Sequence, residues 1–157
     1  MIDPRAPRFT AGITAVLLLL TILLSFAFPT GPDIEPAARI LSPAFLLLAA
    51  LSLLFLWGAT AGVKRHPFGW LFRTLVRPRL APPAELEDPK PPTFAQLVGF
   101  IVTLAGLVLG ALGVPYALTI FASLAFVAAF LNSVFGYCIG CQLYLLLVRV
   151  RPVSQRG

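Results

Sequence analysis

Residues 135–147 read FGYCIGCQLYLLL, and within this apolar run lie Cys138 and Cys141, the two cysteines of the chain. Two thiols at this spacing can trade electrons with another dithiol, pass on a sulfur atom as a persulfide, or hold a soft metal. The chemistry needs a thiolate. Hydrocarbon surroundings suppress one, whereas a helix N-terminus or nearby cations favour it. Metal is poorly served, because a closed zinc site takes four ligands and the chain adds only His66 to its two thiols. Redox or sulfur chemistry needs fewer parts, with Cys138 attacking and Cys141 resolving. Asn132, Gln142, Tyr137 and Tyr144 lie beside the pair, and amides in apolar segments must find partners. The plain alternatives stay open: cysteines as small packing residues, amides as glue between helices, and His66 as a helix end or headgroup contact.

The elements that must position these groups are membrane helices. The chain has 157 residues, 59% hydrophobic and only 11% charged, where soluble domains carry about 25% charged residues. A soluble core of this length could not cover so much apolar surface. Four segments, at about 9–28, 40–63, 94–112 and 115–135, reach the ~20 residues that cross a ~30 Å hydrocarbon core. Arg5 and Arg8 resemble a signal n-region, but the apolar run after them exceeds the ~7–15 residues of a signal core, and SFAFPTG lacks a good cleavage site. Gly99, Thr103, Gly106 and Gly110 form a small-residue stripe that lets another helix come close. The run from Val114 to Val148 would be about 52 Å long as one straight helix, so it must bend or break. Gly136 and Gly140 mark the place, with a short interfacial helix over 139–150 beyond it.

Between the second and third spans, Phe68, Leu71, Phe72 and Leu75 recur at helical spacing. They predict a short helix over 66–77 lying flat on the membrane. Pro78 stops it, and APPAELEDPKPP reads as extended chain. Thr93 and Gln96 make a capping box for the third span. Eleven of the twelve Lys/Arg residues fall in the N-terminus, the 64–93 segment and the C-terminal tail. Lys64, Arg65, Arg73, Arg77, Arg79, Arg149 and Arg151 are therefore expected at a membrane surface, with both termini in the cytoplasm of a bacterial inner membrane. The net charge of +6 then serves anionic lipid, and nucleic acid is not an expected partner. All six carboxylates lie outside the spans, so no intramembrane counter-ion or proton relay is visible. No GxGxxG, Walker, HExxH or GxSxG sequence occurs.

MIDPRAPRF, HPFGWLFRTLVRPRLAPPAELEDPKPPTFAQLVG and FLNSVFGYCIGCQLYLLLVR together resemble the bacterial membrane proteins grouped as DUF4395. The likeness covers nearly the whole chain and is most specific at NSVFGYCIGC. It supplies no activity. It implies genomic company with thioredoxin-like and rhodanese-type proteins, and it places His66 and Asn132 in motif positions without a role; both are expected as auxiliaries to Cys138 and Cys141. The expectation is an all-α, polytopic protein, one four-helix domain over 1–157. Its expected work is thiol–disulfide exchange or sulfur relay with a soluble thioredoxin-like or rhodanese-type partner, with no cofactor. A membrane scaffold, a homo-oligomer and a transporter of a small sulfur species are the other expectations.

Overall fold

The computed structural model describes residues 1–151. Its helices are α1 (Arg5–Ala27), α2 (Pro36–Ile40), α3 (Pro43–Ala61), α4 (Pro67–Leu71), α5 (Lys90–Ala111), α6 (Ala117–Phe135) and α7 (Ile139–Val150). α1, α3, α5 and α6 are long and apolar enough to cross a membrane. At 19 to 23 residues and ~1.5 Å per residue, they match a hydrocarbon core of about 30 Å. Large side chains such as Leu19, Leu53, Ile101 and Leu124 face outward, where lipid is as good a solvent as a protein core. The protein is all-helical and polytopic, as the composition requires.

Local chemistry sets the ends of these helices. The Asp3 carboxylate accepts the Arg5 backbone N–H at 2.9 Å and starts α1. Ser42 Oγ accepts from Phe45 N at 3.3 Å, with Pro43 in the first turn of α3. α5 begins at Lys90, one turn before the expected capping box. Asp88 Oδ1 accepts the Lys90 N–H at 2.9 Å, and Thr93 Oγ1 donates back to the Pro89 carbonyl at 2.8 Å. The physical reason lies in Pro91 and Pro92, whose missing N–H groups break no bond in a first turn.

The over-long last apolar run breaks at Gly136, which takes the left-handed conformation at φ +67°. The N–H groups of Gly136 and Tyr137 close on the carbonyls of Asn132 and Leu131, both at 3.1 Å. The bond from the left-handed Gly136 to the carbonyl four residues back is an αL cap. α7 restarts at once, as a new helix on a new axis.

α1 runs antiparallel to α6. Arg8, near the start of α1, donates to the Ser133 and Val134 carbonyls at 3.4 and 3.2 Å. At the other end of the pair, Ser25 and Thr119 hydroxyls meet at 2.8 Å. α3 packs on α5, and α5 packs on both α6 and α7. The small-residue stripe is the seam: a Cβ on Gly106 would lie 2.7 Å from Phe121 Cβ, and one on Gly110 3.0 Å from Leu118 Cγ. The hydrophobic core gathers around Leu18, Leu48, Leu51 and Leu118, in the half of the bundle away from the basic connector.

That far half also holds Arg39, among the described residues the one cation outside the basic end. It is buried, and its guanidinium donates to Ile34 O at 2.7 Å and to Ala111 O, the last carbonyl of α5, at 3.0 Å.

α4 continues into a π turn at Phe72–Val76 and a 3-10 turn at Arg77–Arg79. Its apolar side does not simply lie flat. Phe72 is only 2% exposed and meets the Phe9 ring at 5.6 Å, so it wedges the connector into the bundle while Trp70 and Leu75 face outward.

Candidate functional site

Opposite the leucine core, the facing positions are too small to fill the bundle. Ala11, Ala95, Gly99, Ala128 and Ala129 leave a cavity of about 450 Å³ between α1, α5 and α6. Side chains of this size cannot meet across four helices, and the space that native packing would close stays open. Thr10, Thr14, His66, Gln96, Asn132 and Cys138 put polar atoms into its wall, and Lys64, Arg73 and Arg77 form an exposed rim.

A strap made from two distant pieces of chain covers the cavity. Ile2 and Glu87 exchange both backbone hydrogen bonds, at 2.8 and 2.9 Å. Arg5 forks the Asp3 carboxylate at 3.0 and 2.9 Å and adds a third bond to the Ala81 carbonyl at 2.9 Å. The Arg5 hydrogen bonds hold the Asp3 carboxyl below its ordinary value, so Asp3 stays a carboxylate whose charge is answered by Arg5.

The cysteine pair sits where α7 begins. Cys138 is its N-cap, and Cys138 Sγ accepts the Cys141 backbone N–H at 3.2 Å. The two sulfurs are joined as a disulfide across a Cα–Cα distance of 5.2 Å, inside the range a bridge requires. The sequence predicts an exchanging pair here, with Cys138 attacking and Cys141 resolving, and the helical first turn brings the sulfurs into bonding reach. Both residues are half-buried. Gly140 between them lies against α5, where a Cβ would fall 2.6 Å from Ala95 Cα. The close approach of these two backbones seats the pair at the cavity.

His66 is 3% exposed, and its Nδ1 accepts the Phe68 N–H at 3.3 Å, capping α4. An accepting Nδ1 leaves the proton on Nε2 in the neutral ring. Burial pushes the imidazole below its ordinary 6.5, with the Leu54 carbonyl pulling weakly the other way. Lys64, Arg73 and Arg77 share the same cavity wall and oppose a further positive charge.

The sign of the resulting pH dependence follows. The folded chain binds a proton at His66 less readily than the unfolded chain, so between the two values the unfolded state carries more protons and stability rises with pH. Acidification below pH 6.5 is expected to lower the unfolding free energy by at most ~1.4 kcal/mol per pH unit for this one proton, and the melting temperature in detergent falls with it. His66→Asn, which keeps a cap acceptor and cannot titrate, flattens that slope. A wild-type melting temperature that is constant from pH 7.5 to 5.5 contradicts a buried neutral His66. The Asp3 contribution has the same direction but falls below that window, under its ordinary 3.8.

Comparison with known proteins bears on the whole assembly. The chain matches, over residues 2–149, the family described as Domain of unknown function (DUF4395). It belongs to the DUF4395 family. No curated protein and no solved structure matches it.

In this DUF4395 chain, three of the candidates singled out in the sequence, Cys138, His66 and Asn132, line one cavity together with Lys64, Arg73 and Arg77. Cys141 stands one helical turn behind Cys138. Arg65, Arg79, Arg149 and Arg151 are exposed and do not line it. Among the described residues no group of three or more His, Cys, Asp or Glu side chains could hold a metal.

The structure adds Gln96, Thr10 and Thr14, which sequence reasoning passed over. Gln96 lies over Gly58, lines the cavity, and has a buried Oε1 without a hydrogen-bond partner. Its signal was an amide inside an apolar helix, which the capping-box reading explained away.

Proposed function

We propose that this DUF4395 protein is a membrane thiol–disulfide component. Its Cys138–Cys141 pair would trade electrons with the dithiol of a soluble thioredoxin-like or rhodanese-type partner at the cytoplasmic face of the inner membrane. One observation carries this reading: Cys138 caps α7 with the Cys141 N–H on its sulfur, at the end of the bundle where the cations gather. In the reduced pair, that N–H and the open amides of the first turn stabilise a Cys138 thiolate. The half-buried position leaves the sulfurs within reach of a docking partner.

The exchange balances without further reagents. A partner thiolate attacks one sulfur of the Cys138–Cys141 bond and forms a mixed disulfide, releasing the other sulfur as a thiolate. The partner's second thiolate then displaces Cys138 or Cys141 from the mixed disulfide. The partner leaves as a disulfide, the pair is left as two thiols, and the reverse reaction retraces these steps. Carriage of a sulfur atom as a Cys138 persulfide uses the same thiolate and is the second reading. Passage of a small sulfur species across the bilayer is disfavoured, because Leu18, Leu48, Leu51 and Leu118 are almost fully buried beyond the cavity and leave no path.

The test uses the protein in lipid nanodiscs, mixed with a reduced thioredoxin-fold domain and quenched with a mass-tagged maleimide. Cys138 and Cys141 are expected to become reduced as the soluble domain is oxidised, and C138S/C141S to show no exchange at an unchanged melting temperature. A wild-type pair that stays oxidised after hours with excess soluble dithiol sinks the proposal.

A further inference from the structure

The cavity has more in it than a dithiol needs. Exchange with a soluble partner takes place on the outward side of the sulfurs, whereas Cys138 also lines a partly open cavity of about 450 Å³, a size typical of small-molecule sites. The wall of that space is small and apolar along α1, α5 and α6, through Ala11, Val98, Val102 and Ala128. The cations stand at the exposed rim, and His66, the one basic group sunk in the wall, is held neutral. An anion would be drawn to the rim and find no counter-charge inside. A neutral, largely apolar ligand is suited to the interior.

The polar atoms of the wall are few, and they include donors and acceptors. His66 is occupied on both sides, its Nδ1 by the Phe68 N–H and its other side by the Leu54 carbonyl. Asn132 and Gln96 offer carboxamide N–H donors, and the Gln96 Oε1 acceptor, buried without a partner, suits the hydroxyl of the reduced ring. Buried polar groups in this condition are ordinarily met by a ligand or by water.

We infer that the cavity is a quinone site, and that a membrane quinone is the two-electron partner which reoxidises the reduced pair. This rests on the thiol-exchange reading above. A quinone is an apolar ring with two carbonyl acceptors, and the bilayer delivers it. The chemistry closes with atoms and electrons accounted for. The Cys138 thiolate bonds to a ring carbon, placing its electron pair on the quinone. The Cys141 thiolate then attacks the Cys138 sulfur, the S–S bond forms, and the S–C bond breaks with its electrons left on the ring. The two protons given up by the thiols convert both ring oxygens to hydroxyls. Two thiols and a quinone become a disulfide and a quinol. The side-chain N–H groups of Asn132 and Gln96 donate to the carbonyl oxygens and stabilise the negative charge that grows there.

The experiment is anaerobic reduction of decylubiquinone, whose ring carbons are all substituted and resist stable thiol addition, by pre-reduced protein in nanodiscs. Quinol formation is followed by absorbance and the thiols by mass tagging. The expected result is one quinone consumed per dithiol, saturating in quinone, and none consumed by C138S/C141S. Gln96→Met and Asn132→Leu, which keep volume and remove the amides, raise the quinone concentration for half-maximal rate by about tenfold each, the loss of one such hydrogen bond. Ala128→Phe fills the cavity and removes saturable reduction; where it melts early, the two amide variants carry the test.

Wild-type protein that exchanges with the soluble dithiol but leaves the quinone oxidised overturns the quinone site alone. Failure of both reactions overturns the exchange reading as well. Quinone consumption that survives C138S/C141S, or that is unmoved by all three cavity variants, also overturns the site.

Discussion

Gly140→Val is expected to cut thiol exchange by at least about tenfold and to lower stability by about 2 kcal/mol, the usual cost of overpacking a close contact. The added Cβ would sit 2.6 Å from Ala95 Cα. That Cα is backbone, so no rotamer change relieves the clash. α7 must lift from α5, and it takes the Cys138 cap and the disulfide with it. Gly140→Ala brings the same Cβ and should show the same losses in smaller measure. Exchange kinetics with the soluble dithiol and thermal melting of the same nanodisc sample check both. Wild-type behaviour in Gly140→Val would mean that docking of α7 on α5 does not set the position of the sulfurs.

Arg39→Leu should carry the larger cost in stability, about 3–5 kcal/mol for two charge-assisted hydrogen bonds lost with their carbonyls left buried. Arg39 ties three places together: its own helix α2, the Ile34 carbonyl of the connector, and the C-terminal carbonyl of α5 at Ala111. A cation at that end of α5 also meets the negative pole of the helix. Arg39→Lys keeps the charge but lacks the fork, so it is expected to recover less than half of the loss. The midpoint of unfolding in mixed micelles measures both variants. The turn that follows supports the clamp, because Gly113 adopts φ +83° and a Cβ there would come 2.5 Å from the Arg39 guanidinium.

The long helices were legible because a membrane reads composition directly: twenty or so apolar residues in a row have few other stable arrangements. The break at Gly136 was legible for the same reason, since the final run is too long for the bilayer and glycine is the residue that tolerates the required conformation. Helix starts were less so. Thr93 and Gln96 have the right types for a capping box, but three prolines before them are compatible with a first turn, and Asp88 takes the role of cap. Phe72 illustrates a second limit. Periodicity put it on an apolar face together with Phe68, Leu71 and Leu75, and only tertiary packing on Phe9 decides that Phe72 is turned inward while Leu75 is not.

The site was half legible. Cys138 and Cys141 announce themselves by type and spacing, and a helix restart at Cys138 follows from Gly136. The cavity does not, because it is made of what is missing: alanines and glycines from α5, α6 and the distant α1, which read individually as packing residues. Gln96, Thr10 and Thr14 acquire meaning only when that empty space is seen beside them. Arg39 is the converse case. By charge counting it was a lone exception to the bias of the other cations, and its burial against α5 explains why it is tolerated at the far end.

The bundle is hollow on one side and dense on the other, and this has an electrical consequence. Water reaching the floor of the cavity carries the potential of the adjoining compartment with it, so the voltage across the membrane falls mainly over the leucine-filled half. Protons and electrons moved between Cys138 and the groups of the cavity wall would cross little of that field. Redox turnover at this position would therefore run nearly independent of how strongly the membrane is energised.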